Sequence, residues 1–373
     1  MRIAVDARVL GYAELRGIGS YLSELLAAWP RSDDCFVLIS QTPIPAQRLR
    51  SPSRLETIVA PAVAGYRLRL WDWLVMPRVV RNTGADLFWG PANQAFPLSD
   101  LPQATTVHDT LLQERVRHPS LADRLFHKRV SPWWVRHRAR RVITVSRFSK
   151  SRIETVFGCA PCRVRVIANG ATLPVRPFPN KASAFAHVHA RGLVRRPYVL
   201  TLGAESPWKN TEGAIRAFAL AAKENTEFDF LIAGVQERAM AGFEALGRGL
   251  GLGERLRLLP FMDRLDRDAL YQGARVFVYP SLFEGFGLPP LEAMALETPV
   301  VASCAASIPE VVGQAARLVD ATDLSSLACG ILEVLQSSEL AERLVAAGRG
   351  NIRRFAWDRS AWEHRQLFSE CLT

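Results

Sequence analysis

Short apolar runs rich in β-branched residues recur along this chain of 373 residues, and stretches with helical spacing separate them. Neighbouring strands joined by a helical crossover are parallel, so the alternation predicts an α/β protein with doubly wound parallel sheets. Helices are predicted at 19–29, 212–223 and 288–296. The predicted strands are Ile3–Val5, Phe36–Ile39, Asp86–Trp89, Ala104–Val107, Val142–Val145, Val164–Ile167, Tyr198–Leu202, Phe228–Ile232, Leu256–Leu259, Val276–Tyr279 and Pro299–Ala302.

The proline-rich segment 174–179 interrupts this series and predicts a linker between two Rossmann-like domains, residues 1–175 and 195–355. The length of the chain also fits two domains of ordinary size. Open parallel sheets bind ligands at the carboxyl ends of their strands. We therefore expect the ligand site in a cleft across which the two domains face each other.

Charge is divided unequally between the two halves. Residues 1–180 carry 26 Lys and Arg against 13 Asp and Glu, whereas residues 181–373 carry 21 against 23. A positive excess confined to one half predicts an anionic partner for that half, such as a phosphorylated ligand, an anionic lipid or a nucleic acid. No run approaches the ~20 apolar residues of a membrane-spanning helix, and Asp6 spoils any signal-peptide core, so we expect a cytosolic fold.

Six cysteines occur, and only Cys159 and Cys162 have a spacing typical of a redox or metal site. No second pair of this spacing and no nearby histidine pair completes a zinc site. The pair follows Phe157-Gly158 and precedes a predicted strand. We interpret it as a turn, and the remaining thiols as reduced and structural.

The segment 281–295 has the strongest local pattern for binding chemistry. Glu284 follows a predicted strand, Gly285 and Gly287 permit a close approach of the backbone, and a predicted helix starts near Leu288. The N-terminus of such a helix binds anions and suits a diphosphate. Glu292 lies eight residues after Glu284, so the two carboxylates can accept hydrogen bonds from the hydroxyls of a sugar and a ribose.

This Glu-x7-Glu segment with its Gly-Phe-Gly-Leu-Pro insert resembles the signature of retaining nucleotide-sugar glycosyltransferases of family 4, which have the GT-B fold. The resemblance extends over nearly the whole chain, and the N-terminal glycine loop is similar to that of the family's mannosyltransferase-like members. The other matching segments follow in the family's order: Asp6–Arg8 with Arg16–Tyr21, Val107–Asp109, Thr144–Arg147, Val166–Gly170, Leu202–Asn210 and Ala305–Val312.

The resemblance implies a role for each matching residue. Backbone N–H groups of Gly17 and Gly19 would contact the distal phosphate of the donor, and the dipole of the following helix would help. His108, a catalytic candidate, would hydrogen-bond a hydroxyl of the donor sugar. Lys209, also a catalytic candidate, would neutralise the departing diphosphate.

The two acids complete the implied donor site. Glu284 would hold hydroxyls of the donor sugar and is the third catalytic candidate, while Glu292 would hold the ribose. The resemblance also implies that residues 356–373 form a helix that crosses back to the N-terminal domain. Further donor-binding residues that it implies are Phe261, Met262, Gly285, Phe286, Gly287 and Leu288.

The loop that carries Lys209 departs from the family pattern. The family places an arginine in this loop, either directly after the glycine or just before the lysine, but the residues at these two positions are Ala204 and Trp208. Arg16 or Arg147 are the candidates to replace it. No Asp-x-Asp pair is placed to hold a metal diphosphate, and we expect neither a metal ion nor another cofactor.

Two basic stretches with tryptophans lie in the first half, at residues 66–78 and 113–141; the second carries nine Lys and Arg against two acids. Cations beside amphipathic aromatics suit a membrane interface, and they also suit stacking on single-stranded nucleic acid. A basic solvated helix face with buried tryptophans explains either stretch equally well. Because the acceptors implied by the family are lipid-linked or oligosaccharide, we favour an anionic membrane and expect no nucleic acid.

Together these features predict a retaining hexosyltransferase on the inner face of the cytoplasmic membrane. Its predicted reaction transfers mannose from GDP-mannose to a lipid-linked acceptor or a growing surface polysaccharide or lipopolysaccharide. UDP-glucose, UDP-galactose and a deoxyhexose donor such as dTDP-rhamnose stay open. A non-catalytic basic adaptor for membranes or nucleic acid is the alternative from another class, and it has no need for Lys209, Glu284 and Glu292 together. A sugar-nucleotide epimerase on the same scaffold would lack an acceptor groove.

Overall fold

The computed structural model describes residues 1–12, 15, 17–60, 71–97, 101–118, 120–171, 174, 176–224 and 227–373. Arg16 and residues 66–70 of the first basic stretch lie outside the described residues. The chain divides into two compact units. Unit 1 comprises Met1–Gly170 and Phe355–Thr373, and unit 2 comprises Ala171–Arg354.

Unit 1 contains a seven-stranded parallel sheet with the strand order β3-β2-β1-β4-β5-β6-β7. The inner strand β1 has Ile3, Ala4 and Val5 fully buried, as expected for a strand covered on both faces. The strands of unit 1 are β1 Arg2–Asp6, β2 Cys35–Ser40, β3 Arg54–Val59, β4 Leu87–Gly90, β5 Gln103–Thr106, β6 Arg141–Thr144 and β7 Val164–Val166. Its helices before residue 170 are α1 Ile18–Ala27, α2 Met76–Arg81, α3 Leu111–Glu114, α4 Leu121–Leu125, α5 Ser131–Arg138 and α6 Arg147–Phe157.

Unit 2 contains a six-stranded parallel sheet with the order β10-β9-β8-β11-β12-β13. Its strands are β8 Tyr198–Leu202, β9 Asp229–Ala233, β10 Leu256–Leu259, β11 Val276–Tyr279, β12 Val300–Ser303 and β13 Arg317–Val319. Its helices are α7 Lys181–Ala190, α8 Thr211–Glu224, α9 Glu237–Gly249, α10 Arg264–Gly273, α11 Leu288–Ala295, α12 Ile308–Val312, α13 Leu324–Gln336 and α14 Ser338–Asn351. The predicted α/β class with two parallel sheets is confirmed.

The last helix, α15 (Trp357–Leu372), packs on α1, β4 and β5 of unit 1. Its Leu367, Phe368 and Cys371 are buried in the same apolar cluster as Trp29 and Trp89 of unit 1. The rings of Phe368 and Trp29 stack with their centres 5.8 Å apart. The core of unit 1 is therefore built from two separate parts of the chain.

The cysteine pair at 159 and 162 lies at a short turn of unit 1. Pro161–Arg163 forms a short 3-10 turn, with Cys159 buried and Cys162 exposed, and all six cysteines carry free thiols. The turn that we predicted for this pair is confirmed. Within the described part of the chain, no helix is both long and apolar enough to cross a membrane.

Candidate functional site

A cavity of about 380 Å³ opens at the carboxyl edge of the sheet in unit 2. It begins where β8, β9 and β11 end and reaches the loop after β10 and the first turn of α11. This is the edge at which open parallel sheets bind ligands. The lining residues are Leu202, Gly203, Ala204, Lys209, Ala233, Gly234, Phe261, Met262, Arg267, Tyr279 and Pro289.

Lys209 reaches the mouth of this cavity from a 3-10 turn, Pro207–Lys209. The turn is fixed to the loop after β11, because the backbone N–H of Leu282 donates to the carbonyl of Trp208 at 2.7 Å. The Lys209 Nζ donates to Glu284 Oε1 at 2.6 Å. Two of the three predicted catalytic residues, 75 positions apart in sequence, are thus an ion pair in unit 2.

Tyr279, at the end of β11, lies beneath this ion pair. The Nζ of Lys209 lies 5.9 Å from the centre of the Tyr279 ring. Burial first, and then the neighbouring Glu284 carboxylate, raise the pKa of the Tyr279 phenol well above its ordinary value. Its buried hydroxyl has no hydrogen-bond partner of good geometry among the described residues, so it is a polar group that a ligand in the cavity can satisfy.

The loop after Glu284 leads directly into α11. Gly287 caps this helix with φ 97°, a left-handed conformation that favours glycine, and a Cβ there would lie 3.3 Å from the Tyr279 ring. The Ser307 hydroxyl holds the loop from behind, lying 2.9 Å from the Glu284 carbonyl and 3.1 Å from the Phe286 carbonyl. The leading N–H groups of a helix have no partner within the helix, so this terminus can bind an anion.

Glu292 lies one turn further along α11 in a more buried place. The Tyr271 hydroxyl donates to its Oε2 at 3.2 Å. Burial raises the pKa of the Glu292 carboxyl, and the nearby Arg267 opposes this shift. The two acids of the Glu-x7-Glu segment therefore have different partners: a lysine at 284, and a tyrosine with an arginine at 292.

Arg267 is a cavity residue that the sequence analysis did not select. It lies on α10, and its Nε and Nη2 donate to Asp268 Oδ1 at 3.0 and 2.8 Å. Burial lowers the pKa of the guanidinium, but Glu292 and Asp268 outweigh burial and raise it. With Ala204 in the same lining, Arg267 is a second cation for a cavity whose expected loop arginine is missing. In a chain with 47 Lys and Arg, its sequence position alone gave no signal.

Three of the predicted site residues, Gly17, Gly19 and His108, lie in unit 1. Gly17 caps α1 with φ 37°, and Gly19 is buried in the first turn. A Cβ on Gly19 would lie 2.8 Å from the Leu15 side chain and 3.1 Å from the Val9 carbonyl. Close packing alone therefore requires a glycine at position 19, besides any contact of its N–H with a phosphate.

His108 follows β5 and is held at several atoms. Its backbone N–H donates to Asn93 Oδ1 at 2.7 Å, and its Nε2 lies 2.9 Å from the Pro91 carbonyl. Burial lowers the pKa of the imidazole to about 4, so the ring is neutral at physiological pH. Because a carbonyl can only accept, Nε2 carries the proton and Nδ1 is left as an acceptor.

Two families of known proteins match the chain, one in each half. Residues 15–173 match the family described as Glycosyltransferase Family 4, and residues 190–351 match the one described as Glycosyl transferases group 1. The chain belongs to the family 4 glycosyltransferases. The predicted resemblance and the GT-B fold are thereby confirmed, while the roles of individual residues stay predictions.

Two curated relatives are mannosyltransferases by name. The chain is 32% identical to O-antigen chain mannosyltransferase B of Escherichia coli over 225 residues, which is 59% of this chain and 58% of that protein. It is 29% identical to MMP alpha-(1->4)-mannosyltransferase of Mycolicibacterium hassiacum over 279 residues, or 69% and 64%. The chain thus spans about three fifths of the length of these relatives. Among solved structures, Anabaena HepE in complex with UDP and glucose has a TM-score of 0.75 at 18% identity, over 99% of this chain and all of that one.

Proposed function

We propose that this chain transfers mannose from GDP-mannose to a lipid-linked acceptor or a growing surface glycan, with retention of the anomeric configuration. The observation that carries the proposal is the ion pair of Lys209, which lines the cavity, with Glu284, which lies in the loop that leads to the Gly287 cap of α11. It puts a cation for a diphosphate beside a carboxylate for sugar hydroxyls. The names of the two mannosyltransferase relatives support mannose as the sugar.

The proposed donor pose follows from the partners of each side chain. The ammonium of Lys209 has three N–H donors, so it can keep Glu284 and still bind a phosphate oxygen. Arg267 supplies further positive charge, and N–H groups around Gly287 bind the phosphate or the sugar. Glu292, deeper in α11, accepts hydrogen bonds from the ribose.

The acceptor attacks the anomeric carbon from the same face that the diphosphate leaves, which accounts for retention without a carboxylate nucleophile. The main electrostatic demand is then the charge that develops on the departing diphosphate, which Lys209 and Arg267 meet. In unit 1, the unprotonated Nδ1 of His108 is an acceptor for a sugar hydroxyl. No metal ion takes part in these steps as proposed.

A thermal-shift screen tests the donor. GDP-mannose should raise the unfolding temperature, because a ligand that binds only the folded state stabilises it by mass action. UDP-glucose, UDP-galactose and dTDP-rhamnose should give smaller shifts. A larger shift with one of these three would replace GDP-mannose as the proposed donor. If none of the four nucleotide sugars shifted the unfolding temperature, the proposed donor site would be wrong.

Arg267→Gln should weaken binding of GDP-mannose by about 10-fold, since one charge-assisted hydrogen bond contributes about 1.5–3 kcal/mol. The matched control is Arg264→Gln, one turn earlier on α10, whose side chain is 63% exposed and pairs with Asp268. Isothermal titration calorimetry measures both. Equal affinities in the two variants would show that Arg267 does not contact the donor.

We also propose that a basic and aromatic surface of unit 1 binds the anionic inner face of the cytoplasmic membrane. The indoles of Trp73 and Trp133 are 42% and 49% exposed, and with Trp134 they line an apolar cavity of about 420 Å³. Arg129 lines the same cavity, and the Arg138 guanidinium lies 5.5 Å from the centre of the Trp134 ring. Exposed aromatics among cations suit the headgroup region of a bilayer.

The membrane proposal predicts salt-sensitive binding to anionic vesicles. The combined substitutions Arg129→Gln, Arg136→Gln, Arg138→Gln and Arg140→Gln should abolish most of this binding, since each basic residue near such a surface contributes about 1 kcal/mol. Arg141 is left unchanged because it pairs with Glu370 of α15. The control replaces the same number of exposed arginines in unit 2: Arg195, Arg238, Arg248 and Arg264.

Vesicle co-sedimentation at two salt concentrations measures this binding. Equal loss in both quadruple variants would assign it to net charge rather than to this surface. Tight, salt-sensitive binding to single-stranded RNA in place of vesicles would support the adaptor alternative instead.

A further inference from the structure

Tyr21 occupies a buried position between two histidines of unit 1. It lies in the first turns of α1, and its ring is perpendicular to that of His108, with the ring centres 4.7 Å apart. Its hydroxyl oxygen is 2.7 Å from Nε2 of His364, a fully buried residue of α15. Tyr21 thus connects the predicted catalytic histidine to a helix more than 340 positions away in the sequence.

The direction of each hydrogen bond in this chain of contacts follows from its ends. The Nδ1 of His364 lies 2.7 Å from the Ser360 carbonyl, which can only accept, so Nδ1 carries a proton. Burial lowers the pKa of His364 to about 4, so the ring is neutral and Nε2 is unprotonated. The Tyr21 hydroxyl must therefore donate to Nε2.

The oxygen of Tyr21 is held from a second side as well. Thr106 Oγ1 lies 3.3 Å from it, and the indole N–H of Trp89 donates to the same Oγ1 at 3.0 Å. With Tyr21 donating to His364, the Thr106 hydroxyl donates to Tyr21. The phenol is fixed by partners on β5 and α15, and so is the plane of its ring.

That ring forms one wall against His108. The backbone of His108 is anchored separately, by Asn93 at its N–H and by the Ser149 hydroxyl, 3.0 Å from its carbonyl. The imidazole itself has two contacts: its Nε2 bonds to the Pro91 carbonyl, and its ring packs against the perpendicular ring of Tyr21. Release of the phenol would free the imidazole to rotate without releasing the backbone.

We infer that His364 is a positioning residue for transfer: through the Tyr21 hydroxyl it holds the His108 imidazole so that Nδ1 stays available to the donor sugar. This rests on the role proposed above for His108. Burying an imidazole costs free energy unless its nitrogens are hydrogen-bonded. Here both nitrogens are used, one for its own helix and one for Tyr21.

Three variants test the inference. Tyr21→Phe keeps the ring and removes the hydroxyl. His364→Asn keeps an amide near the place of Nδ1 but has no acceptor where Nε2 lies, whereas His364→Gln can supply one there. The control on the same helix is Ser360→Ala, which removes a buried hydroxyl without a hydrogen-bond partner among the described residues and leaves the backbone carbonyl in place.

The first measurement is the long-range 1H–15N spectrum of the imidazoles, with His108 assigned through His108→Gln. Wild type, S360A and H364Q should show His108 as a single tautomer protonated at Nε2. Y21F and H364N should show exchange broadening or a mixture of tautomers. An unchanged His108 signal in folded Y21F and H364N would overturn the inference, and Y21F decides alone if H364N does not fold.

The second measurement is turnover of GDP-mannose. Y21F and H364N should lower kcat by about 10-fold with KM for the donor within about twofold, because small misplacements of a reacting group reduce rate more than binding. An altered His108 spectrum with unchanged kcat would overturn the link to transfer. If wild type itself does not use GDP-mannose, that failure belongs to the proposed function, and the spectra still decide whether His364 positions His108.

Discussion

Lys209→Ala should lower the rate of sugar transfer by about 100-fold or more while unit 2 stays folded. Removal of one preorganised group that stabilises developing charge typically costs that much. The Lys209 side chain is 32% exposed at the cavity mouth, so its loss should cost little packing. Steady-state turnover and thermal unfolding measure the two effects.

The matched control is Lys223→Ala, an exposed lysine near the end of α8 in the same unit. A second comparison removes the partner acid as well, because Lys209→Ala leaves Glu284 without its cation. If the double variant K209A/E284Q is no slower than K209A, the two side chains act as one unit. Wild-type turnover in K209A would show that another cation carries the role.

Glu284→Gln and Glu292→Gln should have different kinetic signatures. Glu284 faces the Lys209 ammonium, so its loss should reduce kcat about 10- to 100-fold. Glu292 is bound by the Tyr271 hydroxyl in the interior of α11, so its loss should mainly weaken nucleotide binding, by about 10-fold. GDP titration and steady-state kinetics with GDP-mannose separate the two.

Both substitutions are nearly isosteric, so we expect the packing of the site to be unchanged in the two variants. Glu342→Gln is the control, an exposed acid of α14 outside the donor cavity. If E284Q and E292Q both bind and turn over donor as wild type does, the assignment of this segment to donor binding is lost. If E284Q mainly weakened nucleotide binding and E292Q mainly lowered kcat, Glu284 would instead bind the ribose and Glu292 the donor sugar.

Every strand predicted from the sequence is present, with its ends within one residue of the prediction. Strands buried on both faces need continuous apolar runs, such as Cys35–Ser40, and these are visible in the sequence. Two edge strands were missed for physical reasons. Arg54–Val59 carries Arg54 and Glu56 on a partly exposed edge, and Arg317–Val319 has only three residues.

The candidate site was predictable only where a local pattern expresses it. The glycine-rich entry to α11 has such a pattern, because helix capping and close approach are local requirements. The contact of Lys209 with Glu284, the cavity position of Arg267 and the contact of Tyr21 with His364 depend on which strand ends are neighbours. A single histidine in the amphipathic helix 357–372 has no pattern of its own.

The assembly of unit 1 from two distant parts of the chain has a consequence during synthesis. The sheet of unit 1 leaves the ribosome long before Phe368, which must fill the space beside Trp29 and Trp89. At about 5–20 residues per second, translation of residues 171–354 takes roughly 10–40 s. For that time the nascent unit 1 exposes an apolar surface to chaperones and to other nascent chains. A message truncated before Phe355 would therefore release a protein whose second unit is complete and whose first unit cannot close its core.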